Sequence, residues 1–165
     1  MKQKAKVYFL GIGGIGMSAL ARFYHAAGYQ VFGYDLTATP LTDSLIAEGM
    51  NLHFDSSAAN IPSEIVEDNS SLVIYTPAIP KEHEGFNYLQ SKGYRIIKRS
   101  RALGELAKNY KTIAVAGTHG KTTTSAFAAH ILKNSSLRTI SFVGGIMSGY
   151  EQNILLDVYL AKAVS

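Results

Sequence analysis

Lys6-Val7-Tyr8-Phe9-Leu10-Gly11-Ile12-Gly13-Gly14-Ile15-Gly16-Met17 decides how the rest of the chain is read. An apolar, β-rich run gives way to four glycines within six positions. A helical pattern then follows from Met17 to Ala27 and stops at Gly28. Gly11, Gly13 and Gly16 fit the spacing G-x-G-x-x-G. The first glycine permits a tight turn, the second lets a diphosphate approach the backbone, and the third lets helix pack closely on strand. The N–H groups at the helix start and the helix dipole favour an anion there. Gln30 to Tyr34 reads as a second strand closed by Asp35, 19 residues after Gly16, where an acid reaches the ribose hydroxyls of a bound nucleotide. The loop alone does not say which nucleotide binds, and on this fingerprint NAD is favoured.

Outward from this unit, strand and helix patterns alternate. Leu41–Glu48 is helical up to Gly49, Asn51–Phe54 is a short strand, and Leu72–Tyr75 is a strand cut off by Pro77. Glu84–Lys92 is helical up to Gly93, Arg95–Lys98 is a strand, and Arg101–Lys108 is helical. This order predicts an α/β fold, a Rossmann-like parallel sheet with helices on both faces. A second unit begins after the polar joint Asn109-Tyr110-Lys111. Thr112–Ala116 reads as a strand, Gly117–Gly120 as a tight loop, Lys121–Lys133 as a helix and Thr139–Val143 as a strand. The units are therefore 1–109 and 110–165, the second being the start of a P-loop domain too small to bury its own core. The apolar stretch running into Ala163-Val164-Ser165 reads as the interior of a longer protein.

The second loop, Ala116-Gly117-Thr118-His119-Gly120-Lys121-Thr122-Thr123-Thr124, resembles a P-loop with Val115 in place of the first glycine of G-x-x-x-x-G-K-[ST]. Backbone N–H groups of Gly117 to Lys121 can wrap the phosphates of ATP. Lys121 supplies charge to the β- and γ-phosphates, and the Thr122 hydroxyl can ligate Mg²⁺. His119 reads as a loop or contact residue, and His25, His53, His83 and His130 as structural.

Composition sets the outer bounds. A hydrophobic fraction of 47% in 165 residues indicates a folded protein. The net charge of +4 is scattered apart from Lys98, Arg99 and Arg101, which is too diffuse for a nucleic-acid footprint. The absence of cysteine excludes disulfides, zinc–thiolate sites and a cysteine nucleophile. Lys2, Lys4 and Lys6 before the apolar run Val7–Ala21 mimic a secretory signal, but such a signal has no use for the glycine spacing. No stretch is long and apolar enough for membrane insertion, and a cytoplasmic location is expected.

Two nucleotide loops, one opening each unit, resemble the Mur ligases. The matching segments are Gly11-Ile12-Gly13-Gly14-Ile15-Gly16-Met17-Ser18 and Ala116 to Thr124, with the Thr118-His119 pair inside the second loop. Arg99 with Leu103 to Leu106 is similar to the family's arginine followed by a helical Leu-x-Glu-Leu pattern. Thr76-Pro77-Ala78-Ile79 is similar to its turn after a strand. Tyr34-Asp35 and Asp55-Ser56 depart from the family's more usual pairs. The resemblance implies an ATP- and Mg²⁺-dependent ligase joining L-alanine to UDP-N-acetylmuramate through an acyl phosphate, in peptidoglycan precursor synthesis. It implies a UDP-substrate site at Gly11, Gly13, Gly14, Ile15, Gly16, Asp35, Thr76 and Ala78. It places ATP on Gly117, Thr118, His119, Gly120, Lys121, Thr122 and Thr123, with Lys121 catalytic and Thr122 on the metal. The fragment alone is expected to be inactive, since further metal ligands of the family lie beyond Ser165. Two other readings are a stand-alone NAD-binding Rossmann module, which leaves Gly120-Lys121-Thr122 unexplained, and the family member that recycles murein tripeptide.

Overall fold

The computed structural model describes residues 5–157. Five strands, β1 (Lys6–Leu10), β2 (Gln30–Tyr34), β3 (Asn51–His53), β4 (Leu72–Tyr75) and β5 (Arg95–Lys98), pair in parallel in the order β3-β2-β1-β4-β5. The order reverses between β1 and β4, so the loops after these two strands flank the crevice in which open α/β sheets bind ligands.

β1 is buried along its whole length because both faces of the sheet are covered. Val7 and Phe9 point to one face. They pack there with Met17, Leu20 and Ala21 of α1 (Ile15–Ala26), Leu45 of α2 (Pro40–Ala47) and Ala102 of a later helix, Arg99–Ala107. Tyr8 and Leu10 point to the other face, against Ile65 of α3 (Ser63–Val66) and Leu89 of α4 (Glu84–Ser91). The helix Arg99–Ala107, α5, follows β5 without an intervening loop. Pro40 at the helix start and the reciprocal Thr39–Thr42 capping box set the beginning of α2.

The second unit comprises α6 (Lys121–Lys133) and an antiparallel hairpin of β6 (Ile140–Met147) and β7 (Gln152–Leu156). Thr112–Ala116, expected as a strand, is not one. The segment is irregular and mostly exposed. A strand needs a neighbour to take its N–H and C=O groups, and among the described residues none flanks this segment. β7 and α3 were not expected. Ala129, Val143, Met147 and Leu155 form a small cluster between α6 and the hairpin. The hairpin buries its other side on the first unit, where Ile140, Phe142, Ile154 and Leu156 pack with Ala19, Phe23, Ala27 and Leu106. Lys2, Lys4 and Ala163 to Ser165 lie outside the described residues.

Candidate functional site

The first glycine loop is braced from three directions. Gly11 turns the chain with φ +85°, and a Cβ there would collide with the Thr76 methyl group. The N–H groups of Gly11 and Ile12 both donate to Tyr34 O, at 2.8 and 3.0 Å, which ties the loop to the end of β2. Gly13 N–H donates to Asp35 Oδ2 at 2.7 Å. The Asp35 carboxylate thus occupies one of the N–H groups assigned by sequence to a diphosphate. Met17 and Ser18 N–H turn inward to Gly14 O, both at 2.9 Å. This leaves the N–H groups of Ile15 and Gly16 at the open helix end without an acceptor among the described residues. Gly14 and Ile15 are exposed and Gly16 is half-buried.

Across the crevice, Thr76 to Ile79 forms a turn at the end of β4, closed by Ile79 N–H to Thr76 O at 3.1 Å. Thr76 therefore sits against Gly11, with the exposed Ala78 beside it. Arg99 completes the arrangement. It opens α5, and its guanidinium lies so near Gly16 that a Cβ on that glycine would strike it. An exposed cation beside two open N–H groups at a helix N-terminus gives this end of α1 a local positive potential that favours an anion. The sequence marks Arg99 only as one of a basic group with Lys98 and Arg101 and through a family resemblance. Its contact with Gly16 spans most of the sheet and leaves no local signal.

Next to this crevice, Tyr8, Tyr34, His53 and His83 form a packed cluster. Tyr8 Oη lies 2.7 Å from His53 Nε2, and His53 Nδ1 lies 3.0 Å from Asp55 O. The carbonyl requires Nδ1 to carry the proton, so Nε2 accepts from the phenol. His83 Nδ1 caps α4 by accepting from Phe86 N–H at 3.1 Å, and its ring meets Tyr34 edge-on with centroids 4.6 Å apart. His83 Nε2 is buried without a partner. Burial holds both histidines below the ordinary imidazole value, opposed at His53 by the Asp55 carbonyl and at His83 by its own backbone. Burial also raises the Tyr8 phenol. These histidines serve packing and capping.

The second loop is open. Gly117 and Gly120 adopt φ +151° and +74°, and the first inward helix bond runs from Thr124 N–H to Gly120 O at 2.9 Å. Thr118, His119, Lys121, Thr122 and Thr123 are exposed. Lys121 Nζ folds back over the loop, donating to Gly117 O at 2.6 Å and Thr118 O at 3.2 Å. Thr122 lies against Gly144 and Gly145 of β6. A Cβ on the first would come within 3.4 Å of its hydroxyl, and one on the second within 3.2 Å of its methyl. Among the described residues there is no group of three or more histidines or acids able to hold a metal ion, and no helix long and apolar enough to cross a membrane. A cavity of about 350 Å³, lined in part by Lys6, Tyr24, Tyr29, Arg95 and Glu105, opens at the opposite end of the sheet from the first loop.

Residues 6–111 match the model of the Mur ligase family, catalytic domain. The chain belongs to the Mur ligase family. Among its relatives, the UDP-N-acetylmuramate–L-alanine ligase of Porphyromonas gingivalis is 50% identical over 152 residues, covering 92% of this chain and 33% of that protein. The ligase of the same name from Cytophaga hutchinsonii is 52% identical over 150 residues, covering 91% and 32%. This Mur ligase chain thus spans about a third of the length of the curated relatives it matches. Its fold is shared with the UDP-N-acetylmuramate–alanine ligase of Thermotoga maritima, at a TM-score of 0.82, 33% identity and coverage of 93% of this chain and 35% of that one. It is also shared with the UDP-N-acetylmuramate:L-alanyl-γ-D-glutamyl-meso-diaminopimelate ligase of Neisseria meningitides, at 0.82, 25%, 93% and 47%.

Proposed function

We propose that this chain supplies the UDP-substrate site and the ATP loop of a cytoplasmic ligase that joins L-alanine to the carboxylate of UDP-N-acetylmuramate in peptidoglycan precursor synthesis. The observation that carries this reading is the pair of open helix N-termini, at Ile15–Gly16 and at Lys121–Thr123, each entered through a glycine turn. The relatives' printed names, UDP-N-acetylmuramate–L-alanine ligases, support a UDP-linked sugar as one of the two ligands. Residues 1–109 form the substrate domain and 110–165 begin the ATP domain.

At the first loop, the N–H groups of Ile15 and Gly16 and the Arg99 guanidinium take the diphosphate. Asp35 holds Gly13 and so the shape of the turn, and Thr76 and Ala78 border the uridine side. At the second loop, Lys121 exchanges its bonds to Gly117 O and Thr118 O for phosphate oxygens. This is a small movement, because the ammonium already lies over the loop. The N–H groups from Gly117 to Lys121 face the same anion, with His119 and Thr123 at its rim. Thr122 offers one hydroxyl to Mg²⁺, which suits a cation that keeps waters and phosphate oxygens as its other ligands. Bound Mg²⁺ neutralises phosphate charge. The lysine orients the γ-phosphate for transfer to the substrate carboxylate, with ADP as the leaving group, and the amine of L-alanine then attacks the acyl phosphate, forming the amide and releasing phosphate and a proton.

Titration calorimetry with UDP, UDP-N-acetylmuramate and NADH tests the reading. The uridine ligands should bind and NADH should not. Clear NADH binding with no response to either uridine ligand would replace it with a redox-type Rossmann module. The 165-residue chain with ATP, Mg²⁺, L-alanine and UDP-N-acetylmuramate should release no ADP above background, because its second loop hangs from an unpaired segment, 112–116.

A further inference from the structure

Asn153, on β7, is fully buried although it belongs to the second unit. Its side chain makes its hydrogen bonds to the first unit. Its Oδ1 accepts from Arg22 Nη1 at 3.0 Å, and its Nδ2 donates to Ile15 O and, at 3.0 Å, to Ser18 Oγ. Ser18 Oγ in turn donates to Ile15 O at 3.0 Å. Arg22, itself buried, is held on its far side by Glu48 at 2.7 Å and Ser44 at 2.6 Å.

The Ile15 carbonyl and the Gly16 N–H belong to one planar peptide unit and point in opposite directions. Fixing the carbonyl from inside therefore aims the N–H outward, and donors on the carbonyl polarise the N–H toward an anion. Gly16 N–H is one of the two open groups at the first loop. The other side of the same hairpin touches the second loop. The β6–β7 register shifts between Phe142 and Met147, which throws Gly144 and Gly145 out of the ladder against Thr122.

We propose that Asn153 is a positioning residue for the diphosphate. It sets the Ile15–Gly16 peptide at the first loop and, through the hairpin, ties that peptide to Thr122 at the second. This rests on the UDP-site reading given above and adds to it a residue from beyond the substrate domain.

The test uses the whole chain and the variant Asn153→Asp. This variant keeps the size and the Arg22 partner but replaces the donor facing Ile15 O with an acceptor. UDP affinity should fall about tenfold, the scale of one lost hydrogen bond at a ligand-orienting peptide, while UMP affinity should fall much less. Hydrogen exchange should quicken in 15–19 and 140–156 and stay unchanged in β1 and β4, which also reports that the variant is folded. Asn153→Ala is the second variant should the aspartate disturb the core. Equal weakening of UDP and UMP, unchanged UDP affinity, or exchange that is unchanged or faster everywhere would overturn the proposal. Failure of the unsubstituted chain to bind UDP would remove the UDP-site reading and this proposal together. Normal UDP binding by both proteins would remove this proposal alone.

Discussion

The two glycine loops share a local design, a glycine turn leading into a helix N-terminus, yet they stand in opposite surroundings. Gly11 to Gly16 hangs from a strand paired on both sides, is tied to Tyr34 O, is braced by Asp35 and is backed by a helix with seven buried residues. Gly117 to Gly120 hangs from an unpaired, exposed segment and leads into a helix with one buried residue, Ala129. A phosphate loop needs its N–H groups fixed before the ligand arrives, and that rigidity comes from the sheet behind the loop. The first loop is preorganised by its own domain. The second rests on the hairpin at Gly144–Gly145.

Substitutions should show this contrast most strongly in the cores behind the loops. Leu20 on α1 is 1% exposed, and Leu20→Ala should destabilise the chain by about 3 kcal/mol in denaturant unfolding. A cost below about 1 kcal/mol would mean that the helix behind the first loop is not packed as described.

A smaller effect is expected on acidification. Burial holds His53 and His83 below the ordinary imidazole value, so the folded chain binds fewer protons than the unfolded chain as pH falls below about 6.5. The stability these residues contribute is present above that pH and is lost as pH falls through their folded values. The melting temperature should therefore decline from pH 7 toward pH 5. His83→Asn keeps an acceptor for Phe86 N–H and cannot titrate, so it should flatten the decline. An identical slope in this variant would show that His83 is not held neutral by the fold.

The smallest effect belongs to the second unit. Phe127 on α6 is 66% exposed, and Phe127→Ala should change stability by no more than about 0.5 kcal/mol. A large loss would mean that α6 carries packing that its exposure does not show.

The first unit was legible in the sequence because its signals are local. Lys6–Leu10, Gln30–Tyr34, Leu72–Tyr75 and Arg95–Lys98 were bounded as they fold, and Gly28, Gly49 and Gly93 mark helix ends. Helix α1 begins at Ile15 and α5 at Arg99, each two residues earlier than its pattern suggested. Thr112–Ala116 carries the same apolar pattern as a strand, but pattern supplies no pairing partner, and here it stays irregular. β7 was hidden because Gln152 and Asn153 leave it an apolar run of only three residues, Ile154 to Leu156, and that asparagine is buried against Ile15, Ser18 and Arg22, more than a hundred residues away in sequence. Arg99 beside Gly16 and Tyr8 beside His53 were invisible for the same reason: the sheet order, not the sequence neighbourhood, brings them together.

The central claim is that each loop holds its own phosphorylated ligand. Its most direct test is a pair of titrations, UDP-N-acetylmuramate and Mg²⁺·ATP, on the unsubstituted chain, Gly13→Val and Lys121→Ala. A side chain on Gly13 would meet Asp35 Oδ2 and the Thr42 methyl at 2.9 Å. It would push the carboxylate off the turn and fill the approach to the helix end. Gly13→Val should lose the uridine ligand and keep whatever weak ATP binding the chain has. Lys121→Ala should keep the uridine ligand at unchanged affinity and lose ATP. Loss of both ligands in either folded variant, or an unchanged response to UDP-N-acetylmuramate in Gly13→Val, would contradict the account.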